Sequence, residues 1–263
     1  MIIIDKYAYI SKLKQTAPMK KLVFSLLTLG ICIWADTVLV SVLVLLTMGW
    51  FIVCKGGIPL NLFTKLMLVP TLFLLVGVLT IAINVSGDMN AFLFSIYGFG
   101  TYIGVSQSGV YNALCLFSKA LGAVSCLYYL SLSTPMVDLL AVLRRLKVPK
   151  LMLELMGLIY RFIFVLLETT DSMVVAQKSR LGYSNLTSAY RSLAVLAANL
   201  FIRACKRSDD IYTALEARGY DGEINVQEEP FSTKWTEYIP AVIINLFFVL
   251  IALFLKQNTR GLL

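Results

Sequence analysis

Apolar positions run almost unbroken through the first half of the chain, at about 22–35, 38–54, 66–85 and 110–133, and again near the C-terminus at about 239–255. A membrane span needs about 20 apolar residues. Each run is therefore read as one pass, the first of them short. The stretch 91–104, rich in Phe, Gly and Tyr, is a further candidate that re-enters the bilayer or lies at its surface.

After residue 133 the pattern changes to a helical period. Thr134-Pro135 opens a short amphipathic helix with Val137, Leu139, Leu140, Leu143 and Leu146 on its apolar side, ending at Arg144-Arg145-Leu146-Lys147 before Val148-Pro149. Such a helix lies at the membrane surface with its basic end near lipid phosphates. From Lys150 a long helix is predicted to about Leu181, with Ile159, Ile163, Leu166, Thr170, Val174 and Gln177 on one stripe and Gly182 as its stop. A third helix, from about Tyr190 to Arg218, carries Leu200, Ala204, Ile211 and Leu215 on one face and Arg203, Arg207 and Asp210 on another.

Charge sharpens this division. Residues 22 to 133 hold only Asp36, Lys55, Lys65, Asp88 and Lys119, while most of the charged residues fall between 134 and 240. The expected organisation is a basic N-terminus (1–21), a span block (22–133), a charged helical region (134–238) and a last span with its tail (239–263). Lys6, Lys12, Lys14, Lys20 and Lys21 precede the first span, Lys55 and Lys65 follow the second, and 86–109 has no Lys or Arg. The positive-inside rule then puts the N-terminus and residues 134–238 in the cytoplasm. Five passes would leave the C-terminus outside; Lys256 and Arg260 speak mildly against that and keep open a sixth pass within 151–205.

Composition agrees and removes most enzymes. With 59% hydrophobic and 14% charged residues, the chain is far from a soluble domain, and its net charge of +8 is explained by topology without nucleic acid. It has no histidine, which excludes His-Glu-x-x-His metal sites, Ser-His-Asp triads and His-based acid/base chemistry. Cys32, Cys54, Cys115 and Cys126 lie in apolar runs and Cys205 stands alone, with no zinc-type spacing. There is no G-x-x-x-x-G-K-[ST] loop, so any ATP-driven step needs a separate polypeptide.

The two long helices end alike: Ala176-Gln-Lys-Ser179-Arg180-Leu181-Gly182-Tyr183 and Ala214-Leu-Glu-Ala217-Arg218-Gly219-Tyr220. A small residue before the arginine lets the helix end approach another surface, and the guanidinium projects as a rigid five-donor fork suited to an acidic groove. The plainer reading is an arginine offsetting its helix dipole ahead of an ordinary cap. Duplication favours the former, because one membrane subunit with two equivalent tips can engage two copies of one partner or two related partners.

On these residues the chain resembles the transmembrane T component of energy-coupling factor (ECF) transporters, the CbiQ/EcfT family. Ser133-Thr-Pro135-Met-Val-Asp138 through Arg145-Leu-Lys-Val-Pro149 looks like the segment leading into the family's coupling region, and Tyr160-Arg161-Phe162, Leu200-Phe-Ile-Arg203 and Arg207 look like its helix positions. Ala217-Arg218-Gly219 matches the family's Ala-Arg-Gly coupling motif; Ser179-Arg180-Leu181 departs from it on both sides of the arginine. Asp5-Lys6-Tyr7-Ala8-Tyr9 and Pro18-Met-Lys-Lys21 are similar to members associated with cobalt uptake.

The resemblance implies an all-α integral membrane protein whose two long cytoplasmic helices form a crossed, L-shaped arrangement. It implies a multi-pass subunit of a prokaryotic cell membrane that links two cytoplasmic ABC ATPases, which carry the ATP and Mg, to a substrate-binding S component for uptake of cobalt or a vitamin. No cofactor is expected on this chain itself. Arg161, Arg203 and Arg207 are candidates for the S-component contact or for a structural role.

Lys119 sits in the middle of the fourth apolar run, where a charge is costly. A dyad with Ser118 is disfavoured because adjacent helical residues point about 100° apart; snorkelling, pairing with a polar group such as Asn84, or a role at the S-component interface are the remaining readings. A membrane-embedded enzyme using Lys119 or a carboxylate is the alternative function. Gly219-Tyr220-Asp221-Gly222 has charged flanks and no second Asp in a comparable span, so an aspartyl protease is discounted. Without histidine or paired cysteines a cobalt or nickel site would lack its preferred ligands, so selection of a metal cargo falls to another chain.

Overall fold

The computed structural model describes residues 3–86, 92–98, 101–220 and 239–260, apart from the side chains of 3, 4, 15, 82–108 and 258–260. Its helices in chain order are α1 (Ile3–Ile10), α2 (Pro18–Ala35), α3 (Val38–Trp50), α4 (Leu60–Ala82), α5 (Gln107–Ser133), α6 (Met136–Arg145), α7 (Lys150–Ser179), α8 (Leu186–Glu216) and α9 (Ile239–Arg260). A π-helical turn, Phe51–Lys55, prolongs α3. Five of these are long and apolar enough to cross a membrane: Pro18–Ala35, Val38–Lys55, Leu60–Ile81, Gly109–Ser133 and Ile239–Gln257. They coincide with the five apolar runs, and neither α7 nor α8 is among them. The protein is thus a helical, multi-pass membrane protein.

One element departs from the helical expectation. Between α4 and α5 lie three short strands, β1 (Ile83–Ser86), β2 (Phe92–Gly98) and β3 (Thr101–Ser106), in an antiparallel sheet of order β1-β3-β2. Ile83 pairs with Val105 and Tyr97 with Tyr102. Strands at the end of the predicted span cut it short at Ala82, and the described part of 91–104 is extended rather than helical. Phe, Tyr, Ile and Val in that stretch suit a pleated backbone, which the apolar count alone does not distinguish from helix.

The chain divides into two compact units, Met136–Pro230 on one hand and Ile2–Pro135 with Phe231–Leu263 on the other. In the second unit α2 packs antiparallel on α5 through small and polar residues. Ser25 Oγ donates to the Cys126 carbonyl at 2.8 Å, and a Cβ on Gly122 would come within 2.8 Å of the Cys32 sulfur and 3.0 Å of the Ser41 carbonyl. Glycine at 122 is what lets α2 and α3 approach α5 this closely. Val40, Val44, Met48, Ile52, Leu132 and Phe248 fill the centre of this unit.

The proline inside α4 has a matched partner. Pro70 has no N–H, so the carbonyl of Leu66 loses its helical donor. The Tyr128 hydroxyl of α5 donates to that carbonyl at 3.1 Å.

Candidate functional site

In the unit that begins at Met136, α6, α7 and α8 form the candidate coupling site. α7 and α8 are joined at both ends. Near the turn between them, Gln177 Nε2 donates to the Ser192 carbonyl at 3.0 Å, the Tyr183 hydroxyl donates to Gln177 Oε1 at 2.7 Å, and Ser192 Oγ donates to the Gly182 carbonyl at 2.8 Å. At the far end the Tyr220 hydroxyl donates to Glu154 Oε2 at 3.2 Å. α8 therefore runs back along α7. Leu200, Ala204, Ile211 and Leu215 are half-buried, as their spacing predicts, and Arg203, Arg207 and Asp210 are exposed.

The two arginine motifs adopt one geometry. At the end of α7, the Leu181 N–H donates to the Lys178 carbonyl at 3.0 Å and the Gly182 N–H to the Gln177 carbonyl at 2.9 Å, with Leu181 left-handed at φ 60°. At the end of α8, the Gly219 N–H donates to the Glu216 carbonyl at 2.9 Å and the Tyr220 N–H to the Leu215 carbonyl at 3.0 Å, with Gly219 at φ 75°. This paired bonding is the Schellman turn, which satisfies carbonyls that the helix end would leave bare. Arg180 and Arg218 each occupy the step just before the left-handed residue.

Gly182, expected as the helix stop, is one residue past it. The left-handed step falls on Leu181, and Gly182 is required for a different reason, since a Cβ there would meet Ser192 Oγ at 2.7 Å and the Gln177 carbonyl at 2.9 Å. Glycine is thus needed for close packing of the turn on α8.

Ser179, Arg180, Leu181, Ala217, Arg218 and Gly219 are all exposed. Among the described residues neither guanidinium is hydrogen-bonded or ion-paired, and both arginines are exposed. One arginine precedes α8 and the other follows it, and 31 helical residues span about 45 Å at 1.5 Å per residue. The forks are therefore held at opposite ends of one helix pair. Arg161 lies exposed on α7, and Arg203 and Arg207 stand one turn apart on the polar face of α8.

Lys119 lies in the other unit, and its partner is one the sequence reading missed. Its ammonium donates to the carboxylate of Asp36, and the Asp36 carbonyl also accepts from the Cys115 thiol at 3.1 Å. Asp36 sits in the left-handed step that ends α2, with φ 49°. The side chain of Asn84, named as a partner from sequence, is outside the described residues. Ser118 Oγ donates instead to the Leu114 carbonyl of its own helix at 2.8 Å, which leaves the Ser118–Lys119 dyad without geometry.

Lys21 was also missed. Counted from sequence among the basic residues ahead of the first span, it lies inside α2, only 2% exposed, and its ammonium donates to the carbonyls of Ser133 at 2.7 Å and Leu13 at 3.1 Å. The available signal was its place just after Pro18, which as a first helical residue starts α2 ahead of the apolar run. Among the described residues no three of Cys, Asp and Glu come together as a metal-sized cluster.

A family model described as Cobalt transport protein, CbiQ, matches residues 10–229, a range that includes both arginine tips. The chain is 34% identical over 261 residues to an uncharacterized protein of Methanocaldococcus jannaschii, covering 98% of this chain and 95% of the relative. It is 31% identical over 226 residues to the cobalt transport protein CbiQ of Salmonella typhimurium, covering 85% and 99% respectively. It is 28% identical over 223 residues to the energy-coupling factor transporter transmembrane protein EcfT of Bacillus selenitireducens, covering 80% and 78%.

Proposed function

The chain belongs to the CbiQ cobalt transport protein family and is a transmembrane component of an ECF-type transporter for cobalt or another micronutrient; from that premise we propose that it transmits the movement of two cytoplasmic ATPases to a substrate-binding S component. The ATPases hold the ATP and Mg. The N-terminus and the α6–α8 unit face the cytoplasm, in keeping with the basic residues that flank the spans. The S component selects the cargo.

The observation that carries this reading is the repeated cap. Two exposed guanidiniums, neither of them partnered among the described residues, project from equivalent turns at the two ends of one helix pair. Each presents a planar set of donors to a carboxylate or carbonyl groove. Their separation suits two protein subunits side by side better than two contacts on one small surface. A movement of either ATPase is then felt at the end of a helix that is fastened to its neighbour through Gln177, Ser192 and Tyr183 at one end and Glu154 and Tyr220 at the other.

Affinity purification of the full chain from cells that produce it natively tests this. Two ATPase subunits should accompany each copy of the wild-type chain. Arg218→Glu should abolish uptake and weaken ATPase retention, and Arg180→Glu should act in the same direction but more mildly, given its altered motif. Wild-type uptake and docking in Arg218→Glu would sink the mechanism, and turnover of a lipid or peptide by the purified chain alone would replace it with the enzyme reading.

A further inference from the structure

The two arginine tips share a second feature besides the cap. At each, one residue belongs to the cap through its backbone and reaches the facing helix through its side chain. At the end of α7 that residue is Gln177. Its carbonyl accepts from the Gly182 N–H at 2.9 Å and the Arg180 N–H at 3.2 Å, and its Nε2 donates across to the Ser192 carbonyl of α8 at 3.0 Å. At the end of α8 it is Tyr220. Its N–H donates to the Leu215 carbonyl at 3.0 Å, and its hydroxyl donates across to Glu154 Oε2 of α7 at 3.2 Å.

Apolar packing holds the second tip only lightly. Leu196, the buried residue of α8, lies in the first half of that helix, far from Arg218. The last turns of α8 have the half-buried Ile211 and Leu215 as their apolar cover, while the residues between them are exposed. A helix end covered so thinly can follow a pull on its tip without moving its neighbour, unless a polar tie joins the two. Glu154 and Gln177 stand near opposite ends of α7, about 35 Å apart at 1.5 Å per residue. One tie therefore serves each tip, and each ends on a different helix from the one that carries its cap.

We propose that Gln177 and Tyr220 are positioning residues that gear each arginine tip to the facing helix, so that α7 and α8 answer a movement at either tip as one lever. This role rests on the coupling function proposed above and names the side chains that transmit it. Tyr183 serves the first of them, because its hydroxyl donates to Gln177 Oε1 at 2.7 Å and so turns the Nε2 toward α8. Neither residue touches the partner in this scheme. Arg180 and Arg218 make the contact, and Gln177 and Tyr220 decide how far into the helix pair it is felt.

Hydrogen–deuterium exchange of the full chain with its co-purified ATPases, compared in ATP–Mg and ADP–Mg, reads this directly. The wild-type complex should show a nucleotide-dependent change in exchange at 150–156, at 176–183 and at 186–195. Tyr220→Phe keeps the ring and both arginines; it should lose the change at 150–156 and keep the one at 176–183. Gln177→Met should lose the change at 186–195, the start of α8, and keep the one at 176–183. Glu154→Leu, which breaks the second tie from its other side, should match Tyr220→Phe, whereas Glu154→Gln keeps an acceptor and should respond as wild type. A merely structural role would raise exchange at 150–156 equally in both nucleotides and leave their difference in place. An unchanged nucleotide response in Tyr220→Phe, or a response lost equally in Glu154→Gln, would overturn the assignment. A wild-type chain that retains no ATPase, or whose complex does not respond to nucleotide, would instead remove the coupling function and this role with it.

Discussion

Leu181 and Gly219 occupy the same left-handed step of two equivalent turns, each directly after an arginine that faces outward. A side chain in this conformation crowds the following carbonyl at a cost of about 1–2 kcal/mol, which glycine escapes. The first tip is therefore the strained one. Leu181→Gly should stabilise the end of α7 by about 1 kcal/mol, visible as slower hydrogen exchange at the amides of Leu181 and Gly182. Faster exchange in that variant would mean that the exposed Leu181 side chain contributes packing that outweighs the strain.

A second prediction separates charge from fork geometry at the tips. Arg180→Lys and Arg218→Lys keep the helix-end charge, so the helices themselves should be unchanged. A lysine cannot reproduce a bidentate contact, and loss of one charge-assisted hydrogen bond costs about 1.5–3 kcal/mol. ATPase co-purification should fall at least tenfold for Arg218→Lys, while far-ultraviolet dichroism stays constant. Full docking by the lysine variant would show that the tip acts by charge alone.

The five spans and the two long helices were legible because length and uniform apolarity decide one and a helical period decides the other. The arginine tips were legible as well, since a repeated Ala-x-x-small-Arg needs no tertiary information. What the sequence hid was pairing across distance. Asp36 lies between the first two apolar runs and Lys119 within the fourth, and only the antiparallel packing of α2 on α5 brings them together. Gly182 looked like the cap because glycine is the usual left-handed residue; here a close approach to Ser192 claims it, and the left-handed step moves to Leu181. The strands at 83–106 were hidden because aromatic and β-branched residues in an apolar stretch suit either a span or a sheet.

The Asp36–Lys119 pair should behave as a modest fastening rather than a catalytic charge. The aspartate side chain is 74% exposed at the corner between two span-length helices, and exposed ion pairs contribute about 0.2–1 kcal/mol. A double-mutant cycle of Asp36→Asn and Lys119→Gln, followed by thermal unfolding in detergent, should give a coupling energy within that range, with uptake retained in all three variants. Loss of uptake by Lys119→Gln in a stably folded protein would return Lys119 to the functional site.

Tyr128 should be worth more to α4 than its half-buried position suggests. Its hydroxyl serves the Leu66 carbonyl that Pro70 cannot reach. Tyr128→Phe keeps the ring packing and removes only that donor, which should cost about 1–2 kcal/mol. Pro70→Ala restores the helical donor, so the double variant should recover most of the loss. No recovery would mean that the hydroxyl and the proline act independently.

Lys20 and Lys21 are adjacent and of equal charge, and by the positive-inside rule they are interchangeable. Structurally they differ, because Lys21 is buried and bonded to carbonyls from two separate segments while Lys20 lies half-buried. Lys21→Met leaves the carbonyls of Leu13 and Ser133 without that donor inside the fold, and should destabilise the protein by about 2–4 kcal/mol. Lys20→Met should cost less than Lys21→Met, since Lys20 is half-buried and its site stays open to water, whereas Lys21 is 2% exposed. Steady-state membrane levels and melting temperature compare the two directly. Arginine should not rescue position 21, because a planar guanidinium does not fit a space closed around an ammonium. Equal stability of the two methionine variants would mean that Lys21 acts only through its charge, as an orientation signal, and that its bonds to α5 contribute nothing to the fold.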